Sequence, residues 1–156
     1  MNDRTGERMS QSGGDIKRLA EEFISGKDID PERLLGYDGE IRNFIENNKE
    51  SQKGDTANHQ LRKFYDDIVE MSEVAKKTSG NPNDPSNSAN KIRLAMMEAR
   101  LNYARERRVL SKEIFELLKS CVHTVNTQSA EKWADSLDRF KTLFEAIVAY
   151  SYKGGE

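Results

Sequence analysis

Seven apolar residues, Ala130, Trp133, Leu137, Phe140, Phe144, Ile147 and Val148, recur mostly at steps of three or four near the end of the chain. That spacing puts them on one face of an α-helix; a strand would need alternation every second residue. The same period returns in Ile16, Leu19, Ala20, Phe23 and Ile24, in Ile41, Phe44 and Ile45, and in Leu61, Phe64, Tyr65, Ile68 and Met71. It returns again in Ile114, Phe115, Leu117, Leu118, Cys121 and Val122. No useful length of chain alternates with period two. The expected fold is therefore all-α: a compact single-domain helical bundle of about five to six helices with no sheet.

Punctuation residues divide the chain. Residues 1–14 are polar and aperiodic and are expected to form a disordered tail. Residues 15–152 are expected to form the bundle, and residues 153–156 a C-terminal tail. Gly26 closes a first helix begun at Asp15, and Asp30-Pro31 is a cap followed by a proline at the first helical position. Gly39 to Asn48 is the next helix. A longer one runs from Asp55 through Met71, capped at Thr56 or Asn58, with His59, Arg62 and Lys63 near its start. Residues 79–88 contain turn formers and no apolar side chain, which predicts a mobile loop. Ser111 restarts a helix after the basic one described next, and His123 lies near that helix's end. Leu143 and Tyr150 sit off the main stripe of the final helix and are candidates for a second buried surface facing a partner.

The stretch Lys91 to Lys112 carries seven cations (Lys91, Arg93, Arg100, Arg105, Arg107, Arg108, Lys112) against two anions (Glu98, Glu106). Its formal charge is +5 in a chain of net charge −2, so the remainder sums to −7. Apolar residues at Ile92, Ala95, Met96, Ala99, Tyr103 and Leu110 supply an expected buried stripe. Arg93, Arg100 and Arg107 are seven apart and nearly eclipse one another, with Arg108 beside them. They would form a ridge able to meet a polyanion; a solvated surface face is the plainer alternative. With a pI near 5.8, nucleic-acid binding would have to be local to this ridge.

Chemistry of other kinds finds little support. One cysteine, Cys121, permits no intramolecular disulfide and no cysteine-rich zinc site, and on an apolar stripe it reads as a core filler. His59 and His123 cannot make a three-histidine metal site. No phosphate loop, nucleophile elbow or metalloprotease helix motif appears. Asp66-Asp67 and Glu21-Glu22 point about a hundred degrees apart on helices and read as solvated. No catalytic residue, metal or cofactor is expected. No apolar run reaches membrane-spanning length and no signal-peptide segment opens the chain, so a cytoplasmic protein without a membrane partner is expected.

Three stretches together resemble the small subunit of type III-A CRISPR effector complexes, the Csm small-subunit family. Thr56-Ala-Asn-His-Gln-Leu-Arg-Lys-Phe-Tyr65 is similar to that family's Thr-Thr-Ser-Gln-Ile-Arg-Lys helix start. Arg100-Leu-Asn-Tyr-Ala-Arg-Glu-Arg107 is similar to its Lys-Leu-x-Tyr-x-x-Gly-Arg segment, with Glu106 in place of the glycine. Phe144-Glu-Ala-Ile-Val-Ala-Tyr150, followed by Lys153-Gly-Gly155, resembles its terminal helix most closely; His59 is an insertion relative to the first pattern. The resemblance implies a helical, non-catalytic subunit. Copies would stack along guide RNA and target RNA, beside the backbone subunits and below the large subunit. It implies phosphate contacts from Arg62, Lys63, Arg100 and Arg107, extended by charge and position to Arg93, Arg105 and Arg108. Two other readings stay open: a helical adaptor whose arginine ridge docks an acidic protein face, and a helix-turn-helix DNA-binding regulator. The latter would use Gly39–Asn48 as first helix and Asn58–Met71 as recognition helix.

Overall fold

In the computed structural model, residues 4–48 and 54–152 are described, with side chains for 14–48 and 58–152. The order is α1 (Arg4–Ile24), α2 (Pro31–Leu35), α3 (Glu40–Asn48), α4 (Gly54–Lys77), α5 (Pro85–Glu106), α6 (Lys112–Asn126) and α7 (Trp133–Ser151). Six are helices of two turns or more and α2 is a single turn. Among the described residues there is no strand, as the periodicity predicts.

The core is one continuous cluster centred on α7. Trp133, Leu137, Phe140, Phe144 and Ile147 are all buried, packing chiefly against α4 and α3. The rings of Phe140 and Phe144 lie 5.6 Å apart, and Tyr65 of α4 tilts against Phe144 at 6.0 Å. α6 lies between α1 and α5 and buries Ile114, Leu117, Leu118, Cys121 and Val122. Burial pushes the Cys121 thiol's pKa far up, which suits a packing side chain and keeps it from ionising. Asp138 links α7 to α4: its carboxylate accepts from Ser72 Oγ at 3.1 Å and pairs with Lys76 at 3.1 Å and Lys141 at 3.3 Å.

Several expectations need correction. α1 starts at Arg4, so the tail expected to be disordered over 1–14 is helical from Arg4 onward, and only residues 1–3 lie outside the described residues. Extending an existing helix adds a hydrogen bond per residue without a new nucleation step, and Arg, Glu, Met and Gln accept helical geometry readily. The expected caps Thr56 and Asn58 lie inside α4, which already begins at Gly54; residues 49–53 are outside the described residues. The C-terminal tail 153–156 is outside them too.

The expected mobile loop 79–88 is shorter and is tied down. Asp84 caps α5 through a 2.9 Å bond from the Ser86 amide, and Pro85 is its first residue. The buried Asn87 donates to Thr78 Oγ1 at 2.8 Å and to the Asn81 carbonyl at 2.7 Å, closing the turn from within. The same cap signal, Asp followed by Pro, was legible at Asp30-Pro31. Ala130 falls in the turn before α7 and is exposed. Leu143 is fully buried, and the Tyr150 hydroxyl donates to the Leu35 carbonyl at 2.9 Å. Of that second surface, Leu143 thus belongs to the core and Tyr150 reaches α2 within the chain.

The two acidic pairs are engaged as well. Asp67 pairs with arginines of α5, while Glu21 accepts from Ser120 and Glu22 pairs with Lys27. For Asp138, burial alone would raise the carboxyl pKa, but hydrogen bonds from Lys76 and Lys141 outweigh it and hold it below its ordinary value. A depressed carboxylate contributes stability above its unfolded pKa and loses it as pH falls through the folded one. Asp138→Asn is expected to lower the urea midpoint at neutral pH, with the gap from wild type closing under acid conditions.

Candidate nucleic-acid interface

α5 carries apolar residues on two opposite faces, so its rotation is set by which set fits the core. Asn87, Asn90, Leu94, Met97, Leu101 and Ala104 are buried, a run of alternating threes and fours. The stripe expected inside is outside: Ile92, Met96 and Tyr103 are 67%, 55% and 64% exposed, and Ala95 and Ala99 are exposed with them. Only Leu110 of the expected set is buried. Periodicity alone could not choose, because both sets obey it. The discriminating signal was polar: Asn87 and Asn90 continue the true stripe upstream, and Asn90 reaches toward the Met71 carbonyl across the seam at 3.4 Å.

With that rotation, Arg93, Arg100 and Arg107 do share one flank of α5, the flank toward α4. The two helices run antiparallel, since Arg93 meets Glu70 while Arg100 meets residues earlier in α4. Arg93 lies 2.9 Å from Glu70 and 3.8 Å from Asp67. Arg100 lies 2.8 Å from Asp67, with its guanidinium 5.2 Å from the Phe64 ring centroid. Lys91 is 5.6 Å over the Trp133 ring. These three cations of the basic stretch therefore hold helices together. Their side chains remain partly open, 40% for Arg93 and 47% for Arg100, so part of each fork still faces solvent. The unbroken ridge expected from the sequence is in this way shortened by α4's acids.

The less committed cations gather where α5 ends. Among the described residues no ion pair joins Lys63, Arg105, Arg107 or Arg108 to an acid. Arg107 caps α5 and rests 5.5 Å over the exposed Tyr103 ring. Arg108 is exposed with φ 64°, and the amides of Arg108 and Val109 donate back to the carbonyls of Arg105 (2.9 Å) and Ala104 (3.1 Å). This is the helix ending in which glycine ordinarily supplies the left-handed residue, as Gly26 does at the end of α1 with φ 93°. Arg105 is half-buried and points nearly opposite to Arg107. Ser111 then caps α6, its hydroxyl accepting the Ile114 amide at 3.2 Å. The fresh helix start adds positive potential beside Lys112.

Lys63 is exposed on the α4 flank that also carries Asp67 and Glu70, four and seven residues on. Arg62, a hundred degrees further round, lines a cavity between α4 and α7. The seven candidate cations thus divide into a seam (Lys63, Arg93, Arg100), a junction (Arg105, Arg107, Arg108) and the separate Arg62. The helix-turn-helix arrangement is not formed: α3 packs chiefly on α7, and Leu61, Phe64, Ile68 and Met71 of α4 face the core. Among the described residues, no group of three or more His, Cys, Asp or Glu is placed to hold a metal ion, and no helix is long and apolar enough to cross a membrane.

A non-glycine residue in left-handed geometry costs about 1–2 kcal/mol, partly offset in any glycine replacement by glycine's greater freedom when unfolded, about 0.5–1 kcal/mol. Arg108→Gly is therefore expected to stabilise the fold by about 0.5–1 kcal/mol in urea unfolding while removing a cation from the junction.

Compared with known proteins, the chain matches the family model described as Csm2 Type III-A over residues 40–154, from the first residue of α3 to beyond the end of α7. No curated protein and no solved structure matches it.

Proposed function

This chain belongs to the Csm2 family of type III-A CRISPR small subunits, and on that premise we propose that it binds the guide and target RNA backbone, without catalysis, through the junction of α5 and α6. The observation carrying this reading is Arg108, held in a conformation that glycine would adopt more cheaply. Residues in such sparsely populated geometry cluster at functional sites, and of the two non-glycine examples among the described residues, Ser79 (φ 51°) and Arg108 (φ 64°), only Arg108 is charged. Around it Arg105, Arg107 and Lys112 outnumber Glu106 and Glu113 in a chain that is acidic elsewhere. Guanidinium groups on a fixed helix end engage phosphates without reading bases, which suits a complex whose sequence choice is made by base pairing. Lys63 extends the surface along the seam, and Arg93 and Arg100 contribute the parts of their forks that α4 leaves open. Assembly around a guide RNA would place the protein in the cytoplasm.

Fluorescence anisotropy with single-stranded RNA tests this. Replacing Arg105, Arg107 and Arg108 together by alanine is expected to weaken binding and to lower the slope of log affinity against log salt by about two, at roughly 0.7 for each phosphate no longer neutralised. Unchanged affinity and slope would reject the junction as the contact surface.

The exposed Ile92, Met96 and Tyr103 favour a second reading, that the outer face of α5 docks a neighbouring protein subunit. Such a stripe opposite the core is apolar surface that water leaves uncompensated. Nuclease digestion of the native assembly followed by size exclusion separates the readings. RNA-held subunits are expected to disperse, whereas a protein-held assembly would persist.

A further inference from the structure

Between the first half of α4 and the last turns of α7 lies a cavity of about 740 Å³, within the range that holds organic ligands. Leu61 and Val148 give it an apolar lining, and Tyr152, 66% exposed, stands among its walls. Arg62 and His59 line it from α4, Glu145 from α7. No ion pair joins Arg62 to Glu145 among the described residues, so unlike charges border the same space without cancelling. Tyr65 lines the same space; burial first, then the charge of Glu145, raises the tyrosine's pKa and keeps its hydroxyl protonated. Ser151 also lines the cavity, only 5% exposed, and its buried hydroxyl has no hydrogen-bond partner.

We propose that this cavity takes the base of an unpaired ribonucleotide. An aromatic wall beside aliphatic ones suits the faces of a flat ring, a carboxylate suits an amino edge, and an arginine suits the attached phosphate. Bases stack on aromatic side chains whatever their identity. Glu145 adds a bias: cytosine, adenine and guanine offer amino N–H groups, while uracil turns carbonyl oxygens toward the same edge. The inference rests on the RNA-binding reading above but uses a different surface, since Arg62 is apart from the α5–α6 junction. A small dicarboxylate is disfavoured by Glu145, and a lipid chain by the charged and hydroxyl groups in the walls.

Cytidine and uridine differ at this edge chiefly by amino against carbonyl, which makes short oligocytidylate and oligouridylate the discriminating probes. With the full-length protein, oligocytidylate is expected to bind about tenfold more tightly, and Glu145→Gln to narrow or invert that preference, because an amide can donate to uracil. Tyr152→Ala is expected to weaken both single strands about tenfold while leaving a blunt RNA duplex unaffected. If the cytidine preference is missing and Tyr152→Ala is silent, while the junction substitutions still weaken RNA binding, the cavity is not a base site and the backbone reading survives. If the wild-type protein binds none of the probes, both readings fall.

Discussion

Burial of Leu94, Met97, Leu101 and Ala104 fixes the rotation of α5, and what each face of that helix presents follows from that choice. Turning these four inward against α4 and α6 turns Ile92, Met96 and Tyr103 outward and sends Arg93 and Arg100 along the seam. The gain from apolar burial is of order 25 cal/mol per Å², so the set with the better-fitting shape wins even though it exposes an isoleucine and a methionine. Asp67 then locks the angle by reaching Arg93 and Arg100 together. These exposed ion pairs are individually weak, but two arginines sharing one carboxylate resist rotation of α5 in either direction.

The same seam explains why a strongly basic stretch yields only a compact free cluster. An acidic chain that packs a basic helix inside its own surface will neutralise whatever cations its neighbours can reach. α4 reaches those in the middle of α5 and not those at its end, where the chain turns through Arg108 into α6. Glu106 and Glu113 moderate the potential of that turn without pairing there, which leaves Arg107 and Arg108 projecting into solvent.

Most of the fold was legible because most helices carry one apolar stripe: those of α3 and α6 were read residue by residue from spacing and are buried as expected, while in α7 Trp133, Leu137, Phe140, Phe144 and Ile147 are buried, Val148 is half-buried and Ala130 falls in the turn before the helix. Spacing failed on α5, which has two, and at the upstream part of α1, which has no clear stripe to read. The turn before α5 was misread because its Asn87 is structural, a polar side chain that closes the turn by bonding backbone and hydroxyl groups. Of the candidate site, the residue types and their concentration could be read in one dimension, but pairing across helices could not: Asp67 and Glu70 lie more than twenty positions from the arginines they hold. The cavity lined by Arg62, Glu145 and Ser151 was hidden for a similar reason, since it joins the early part of α4 to the end of α7.

The central claim is that the end of α5, with the turn into α6, is the part of this protein that meets RNA. Ultraviolet cross-linking of the assembled native complex, followed by peptide mass spectrometry, tests it most directly. The account requires RNA adducts on the segment from Tyr103 to Lys112. Adducts confined to the outer surfaces of α1 and α6, with that segment unmodified, would contradict it.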